Sequence, residues 1–328
     1  MARLPTTDLY FRNAMEPWIS RWWRRGPIRR VGANAFVAGE WFVLVRQDKP
    51  LVMREALAWA GRLAYVIDDD IAAGTVCPHL PETYRAKLAE FDRRFHRDLL
   101  ARADVVLAAS DSLAQSLATS PRLASRLQRI EPAWRLPLAD LDHFADLEQG
   151  ASVKIALLGS GSHRGALEAI APTLEDLLER NGKVKLTYLA RRRVSDRLER
   201  HPRARRIEPM TWPEYQRWLV RQRFHLALYP LLPSAFERAR SGNKLTEHGV
   251  VGALGVYPAG WAPADRLGEA AVRAPDNPAE WGDLLENLLA KPKELSQLAQ
   301  MAKENLSCEN AAAVQQELWF NLLGLFVQ

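Results

Sequence analysis

The feature that most constrains this chain is an alternation. Seven short apolar runs recur along it, bounded by turn residues, with segments of helical periodicity between them. The runs are WFVLV (Trp41–Val45), LAYVI (Leu63–Ile67), VVLAA (Val105–Ala109), VKIALL (Val153–Leu158), VKLTYL (Val184–Leu189), FHLALY (Phe224–Tyr229) and LGVY (Leu254–Tyr257). The helical patterns include Glu82–Ala101, Ser112–Leu117, Gly165–Arg180, Pro213–Gln222, Lys244–Val251 and Glu280–Leu289. Strands that alternate with helices predict an α/β protein, with parallel sheets covered by helices on both faces. Sheets of this kind bind ligands beyond the carboxyl ends of their strands.

At 328 residues the chain exceeds the ~250–300 at which a single core stops growing, so two domains are expected. The polar, acidic stretch LADLDHFADLEQGASVK, with Gly150 before a new strand, is the expected boundary. It divides residues 1–150 from 151–305 and leaves a final segment, 306–328. Within that segment Asn310–Gln328 reads as a helix able to pack back across the domains through Val314, Leu318, Trp319, Leu322 and Leu325. No apolar stretch approaches the ~20 residues that span a bilayer. The opening MARLPTTDLYFRNAMEPW lacks the apolar centre of a secretory signal. Cys77 and Cys308 are too far apart for a metal or redox motif. The expected setting is cytoplasmic, with the inner face of the membrane left open. A net charge of +6 favours anionic partners (nucleotides, phosphates, nucleic acid or an anionic membrane) without choosing among them.

Three stretches of the second half carry chemistry. In LLGSGSHRGALEAI (157–170) a strand ends in a loop with Gly159, Ser160, Gly161, His163, Arg164 and Gly165, and a helix then opens. Glycines there let backbone N–H groups approach a phosphate at the helix N-terminus. The spacing G-x-G-x-x-x-G is not the dinucleotide fingerprint, and an unliganded strand-to-helix turn fits it as well. In FHLALYPLLPSAFERARSGNKLTEHGVVGALGVYPAG (224–260) a buried strand leads into a loop with Arg240 and Ser241. A helix follows, with Asn243 expected as its N-cap, Lys244 in the first turn and Glu247 one turn on. A cation at a helix N-terminus opposes the helix dipole, and a bound diphosphate would offset it. A carboxylate beside it could accept hydrogen bonds from a ribose, and a simple surface Lys–Glu pair is the plainer alternative. In YLARRRVSDR (188–197), Arg191, Arg192 and Arg193 follow a strand, either as a solvated loop or within reach of a phosphate.

The order of these pieces resembles the nucleotide-sugar-binding half of GT-B glycosyltransferases, specifically the large group 1 family of mostly retaining enzymes. The resemblance is most specific in PLLPSAFERARSGNKLTEHGVVGALGVY, continues in the closing helices APDNPAEWGDLLENLLAKPKELSQLAQMAKENL, and is looser in LAYVIDDDI and ADVVLAASDSLAQSL. It implies two Rossmann-like parallel-sheet domains facing a cleft. It implies transfer of a sugar from a nucleotide-sugar donor to a glycan or lipid-linked acceptor, in surface polysaccharide or glycoconjugate synthesis. Retention of configuration and independence of metal and of any other cofactor are also implied. By this resemblance Glu247 contacts the donor ribose, Arg240 and Lys244 face the diphosphate, and Gly159–Gly161 border the donor. One position departs from the family. Its paired-glutamate motif puts another Glu eight residues before Glu247, where this chain has Ala239; Glu237 is nearby but out of register. A non-catalytic protein of the same shape, binding a nucleotide or a glycan, is the alternative that this departure keeps open.

Asp68, Asp69 and Asp70 follow the strand of YVIDDDI. Three carboxylates there suit a divalent ion, a capped and solvated loop, or an edge of the cleft that faces the acceptor and includes a base. Because the second half supplies cations for a diphosphate, no metal is assigned. EPWISRWWRRGPIRRV (16–31) interleaves Trp18, Trp22 and Trp23 with five arginines. That mixture suits an anionic membrane interface or single-stranded nucleic acid, or tryptophans packed on the domain beneath solvated arginines. No nucleic-acid-binding motif accompanies it, so nucleic acid is not expected as a partner.

Overall fold

The computed structural model describes residues 4–159, 161–307 and 311–325. Twelve strands form two six-stranded sheets among these residues. The first comprises β1 (Ile28–Arg30), β2 (Ala35–Ala38), β3 (Trp41–Val45), β4 (Arg62–Ile67), β5 (Val105–Ala108) and β6 (Leu127–Arg129), side by side in that order. β3 to β6 run parallel, while β1 and β2 pair antiparallel, so this sheet is mixed rather than wholly parallel.

The second sheet is entirely parallel. It comprises β7 (Val153–Leu157), β8 (Val184–Leu189), β9 (Ala204–Ile207), β10 (Leu226–Leu228), β11 (Leu254–Pro258) and β12 (Val272–Ala274), in the order β12-β11-β10-β7-β8-β9. From β7 the chain winds outward to β8 and β9. It then crosses back to β10 and winds the other way. The loops after β7 and β10 therefore diverge and leave a crevice between them, the ligand position of a doubly wound sheet.

All seven apolar runs are strands. Those of β3, β4, β5, β10 and β11 are buried almost throughout, which is why they carry no polar alternation. Of the five further strands only β2 has an apolar run, the four residues AFVA. β1, β6, β9 and β12 are sheet edges, buried on one face at most, and β2 is a short run ended by Gly39 at φ +56°.

Apolar packing joins the two sheets. One cluster runs from Val43, Val66 and Leu107 of the first sheet to Ala156, Leu158 and Ala227 of the second. Phe144 and Leu147 lie in the core of the second domain, so its packing begins before residue 150. The last described helix, Ala311–Leu323, returns to the first domain. There Gln315 Nε2 donates to the Leu9 and Glu131 carbonyls (2.9 and 2.6 Å), and buried Trp319 donates to the Tyr10 carbonyl at 3.0 Å. None of the described helices is long and apolar enough to cross a membrane.

Candidate active site

A cavity of about 400 Å³ lies at the carboxyl ends of both sheets and draws its walls from both domains. The first domain contributes Thr6, Tyr10, Arg46, Asp68, Asp69 and Tyr84; the second contributes Gly159, His163, Tyr215, Arg240, Lys244 and Glu247. A smaller, mainly apolar cavity of about 70 Å³ adjoins it, lined by Leu158, Leu167, Ala190, Leu228 and Pro230. Gly159, His163, Leu189, Pro209 and Tyr229 border both spaces.

The helix Asn243–Val250 starts just after the loop that follows β10. Gly242 is its N-cap residue, which corrects the assignment of Asn243 to that position. Asn243 is the first helical residue, and its Oδ1 accepts a hydrogen bond from Trp134 Nε1 of the other domain at 2.7 Å. Lys244 and Glu247 are buried, with 8% and 3% exposure. They form an ion pair, and Lys244 Nζ also donates to the Leu158 carbonyl at the end of β7 at 2.6 Å. Tyr215 Oη donates to the other Glu247 oxygen at 2.8 Å. The helix dipole's penalty on Lys244 is therefore offset within the chain. The pair is not a surface pair but part of the cavity wall.

Arg240 reaches the opposite domain. Its Nη1 lies 3.3 Å from Asp69 Oδ1, its Nε 3.1 Å from Glu237 Oε2, and its guanidinium stacks over Phe236. Ser110 ties the domains at the same point by donating to the Ala239 carbonyl at 2.7 Å. Glu237 is held by Arg240 and does not line the large cavity.

Across the cleft, Arg46 follows the end of β3 with φ +57°, left-handed backbone that costs a non-glycine residue about 1 kcal/mol or more. That conformation accompanies a guanidinium 3.2 Å from Asp68, 2.7 Å from Asp69 and 3.2 Å from Tyr84 Oη. Thr6 Oγ1 donates to Asp68 at 2.5 Å. Burial works against ionising Asp69, but Arg46 and Arg240 outweigh it and hold this carboxyl below its usual range. Asp68 moves the other way: burial raises it, Arg46 only partly opposes this, and the charge of Asp69 adds to the rise. Burial, with Arg240 and Lys244 near, keeps His163 well below the ordinary imidazole range and therefore neutral; its Nδ1 is buried without a hydrogen-bond partner among the described residues.

The aspartate triplet is thus divided. Asp68 and Asp69 line the cavity. Asp70 turns away and caps the helix Ile71–Val76, accepting from Ala73 N at 2.9 Å and from Ser116 Oγ. Its geometry is that of a helix cap, not of a group that reaches a substrate. Arg164 lines only the smaller cavity and pairs with Glu168 at 2.7 Å. Arg192 is exposed and lines neither space. Gly161 opens a short 3-10 turn beside the cavity, Ser241 is in its wall, and Ser160 lies outside the described residues. Among the described residues no three of His, Cys, Asp and Glu are grouped to hold a metal ion. Arg46, Thr6, Tyr10 and Tyr215 were not singled out in the sequence. Of these only Arg46 has a local signal, a cation directly after an apolar run, where a strand's carboxyl end must fall.

No family model matches the sequence. No curated protein matches it either. Solved structures do match in fold. HepE of Anabaena, solved in complex with UDP and glucose, is similar over 84% of this chain and 75% of its own, with a TM-score of 0.60 and 12% identity. WaaG, a glycosyltransferase involved in lipopolysaccharide biosynthesis, is similar over 83% of this chain and 80% of its own, with a TM-score of 0.56 and 14% identity. A variant of Staphylococcus aureus TarM, solved in a complex containing UDP, is similar over 80% of this chain and 50% of its own, with a TM-score of 0.53 and 12% identity. The chain has the GT-B fold: two Rossmann-like α/β domains with a cleft between the carboxyl ends of their sheets.

Proposed function

We propose that the protein is a glycosyltransferase that uses a nucleotide-sugar donor. One observation carries the reading. Arg240 and Lys244 meet Gly159 and a helix N-terminus at the switch point of the second sheet, inside a cavity whose far wall is Arg46, Asp68 and Asp69. HepE, of the same fold, binds UDP and UDP-glucose, which supports a donor of that class.

The donor's base enters the apolar space lined by Leu158, Ala190 and Leu228, and its diphosphate lies against Lys244 and Arg240. Binding exchanges partners. The diphosphate takes Lys244, and the freed oxygen of Glu247 accepts from the ribose. Cations fixed beforehand at a leaving phosphate stabilise the charge that develops there, and each such donor is worth ~3 kcal/mol. The acceptor, a glycan or lipid-linked glycan, enters along Thr6, Arg46, Asp68 and Tyr84. Transfer proceeds with retention and without a metal, the departing phosphate taking the acceptor's proton. If the product is instead inverted, Asp68 is the proton acceptor, since it is the carboxyl that burial raises.

The test is donor turnover. Incubation with UDP-, GDP-, CDP- and ADP-sugars should release nucleotide slowly without acceptor, and the Arg240→Ala variant should lose that release by about 100-fold or more. A second reading, binding without turnover, is favoured by Ala239 at a position where the resemblance calls for a glutamate. Tight binding of one donor series with no hydrolysis above the uncatalysed rate would support that reading instead.

A further inference from the structure

The segment rich in tryptophan and arginine divides in the structure. Trp18 packs edge-on against Phe320 of the last described helix at 4.7 Å and is half-buried against the core. Trp22 and Trp23 do not. They occupy the tip of a tight turn closed by two backbone hydrogen bonds, Arg21 N to Arg24 O (2.8 Å) and Arg24 N to Arg21 O (3.1 Å). Trp22 is 92% exposed and Trp23 59%, and each has the other's ring as its aromatic neighbour at 5.1 Å. Leaving two large apolar rings in water is unfavourable unless something covers them.

The turn is held rather than loose. Ser20 N donates to the Ile28 carbonyl at 2.7 Å, and Arg24 Nη2 donates to the carbonyls of Glu16 and Ile19 at 2.9 and 3.2 Å. Five arginines share this segment with the rings. Arg21 pairs with Glu16 and stacks at 5.0 Å over Trp23, while Arg25 and Arg29 are exposed and meet no carboxylate among the described residues. From Arg21 to Arg30 there is no acidic residue. Indole rings seek the boundary between water and hydrocarbon, and exposed guanidinium groups beside them seek lipid phosphates. Single-stranded nucleic acid would also offer anions and stacking, but a protruding tip has no groove to follow a strand.

We propose that this turn docks the protein on an anionic lipid bilayer, with Trp22 and Trp23 inserted at the headgroup level and Arg25 and Arg29 on lipid phosphates. The position in the fold suits that role. Ile28 registers with Ala38, and Ala38 with Trp41, so the turn projects near the amino ends of β3–β6. The cleft opens at their carboxyl ends. Docking holds the protein at the surface and leaves the cleft uncovered.

The experiment is co-sedimentation of the full chain with vesicles of phosphatidylcholine alone or mixed with phosphatidylglycerol. Binding is expected only with phosphatidylglycerol present, with a steep decline as salt rises. Changing Trp22→Ala and Trp23→Ala together should lower the partition coefficient by about tenfold or more, and Arg25→Gln with Arg29→Gln by a similar factor. All four side chains are exposed, so the variants should keep the parent's circular dichroism and donor binding. No binding of the parent to anionic vesicles overturns the proposal. So does binding that the tryptophan variant retains in full, or preferential retention on a single-stranded oligonucleotide.

Discussion

Arg240 of the second domain and Asp69 of the first face each other across the cleft at 3.3 Å, and Asp69 is simultaneously 2.7 Å from Arg46. This shared carboxylate links the second-domain wall of the cleft to the first-domain wall. It is buried, so breaking it from one side leaves uncompensated charge. Asp69→Asn should therefore cost about 3 kcal/mol of stability, read from urea unfolding. A loss under ~0.5 kcal/mol would mean that the link is a surface-like pair with little energetic weight.

The same carboxylate sets the acid behaviour. The folded pKa of Asp69 is below its unfolded value, so its contribution is complete above the usual carboxylate range of ~4 and disappears as pH falls through the depressed value. Asp68 has the opposite sign. Its folded pKa is raised, so it weakens the fold once ionised and ceases to do so as pH falls through that raised value. Asp69→Asn should flatten the decline of stability between about pH 5 and 3, and Asp68→Asn should steepen it. Identical acid limbs in both variants would contradict this assignment.

Lys244 and Glu247 form a second coupled unit, completed by Tyr215. Lys244→Ala leaves a buried carboxylate without its cation and should destabilise by about 3 kcal/mol. Adding Glu247→Gln should recover part of that loss, giving a coupling energy of about 1 kcal/mol or more in a double-mutant cycle. Strict additivity would show that the two do not interact.

His163 is neutral because burial and the neighbouring cations oppose its protonation. Donor affinity should therefore show no step from this side chain between about pH 6 and 8. An affinity step in that range that disappears in His163→Asn would contradict the neutral assignment.

The last helix supports the roof of the cleft. Trp319, fully buried, holds the segment that carries Tyr10 and Thr6. Trp319→Ala should cost about 3–5 kcal/mol and weaken ligand binding as the roof loosens. Donor affinity unchanged in the folded variant would separate the helix from the site.

What the sequence revealed followed burial. Strands covered on both faces, such as β4 and β10, must be apolar throughout, so they stand out as runs. The edge strand β9, ARRI, carries two arginines because one side meets water, and nothing in its pattern distinguishes it from a loop. The charged groups of the second-domain wall were legible because Arg240, Lys244 and Glu247 lie within eight residues on one loop and helix. Arg46, Tyr10 and Tyr215 reach the cavity from distant segments, and the left-handed backbone of Arg46 follows from tertiary contacts that no local pattern records. Asp68–Asp70 shows the limit from the other side. Adjacent identical residues take different tasks, two in the cleft and one on a helix, because the chain turns between them.

The proposed function rests on a donor site at the switch point of the second sheet. The most direct measurement is thermal unfolding of the parent, Lys244→Ala and Glu247→Ala against UDP, GDP, CDP, ADP and CMP and their sugars, each with Mg²⁺ or EDTA. A ligand at 100 times its Kd stabilises by ~2.7 kcal/mol, a readily visible shift. Stabilisation of the parent by one nucleotide series, equal in Mg²⁺ and EDTA and lost in both variants, is the expected result. Stabilisation that requires Mg²⁺, that survives in both variants, or that no nucleotide produces would contradict it.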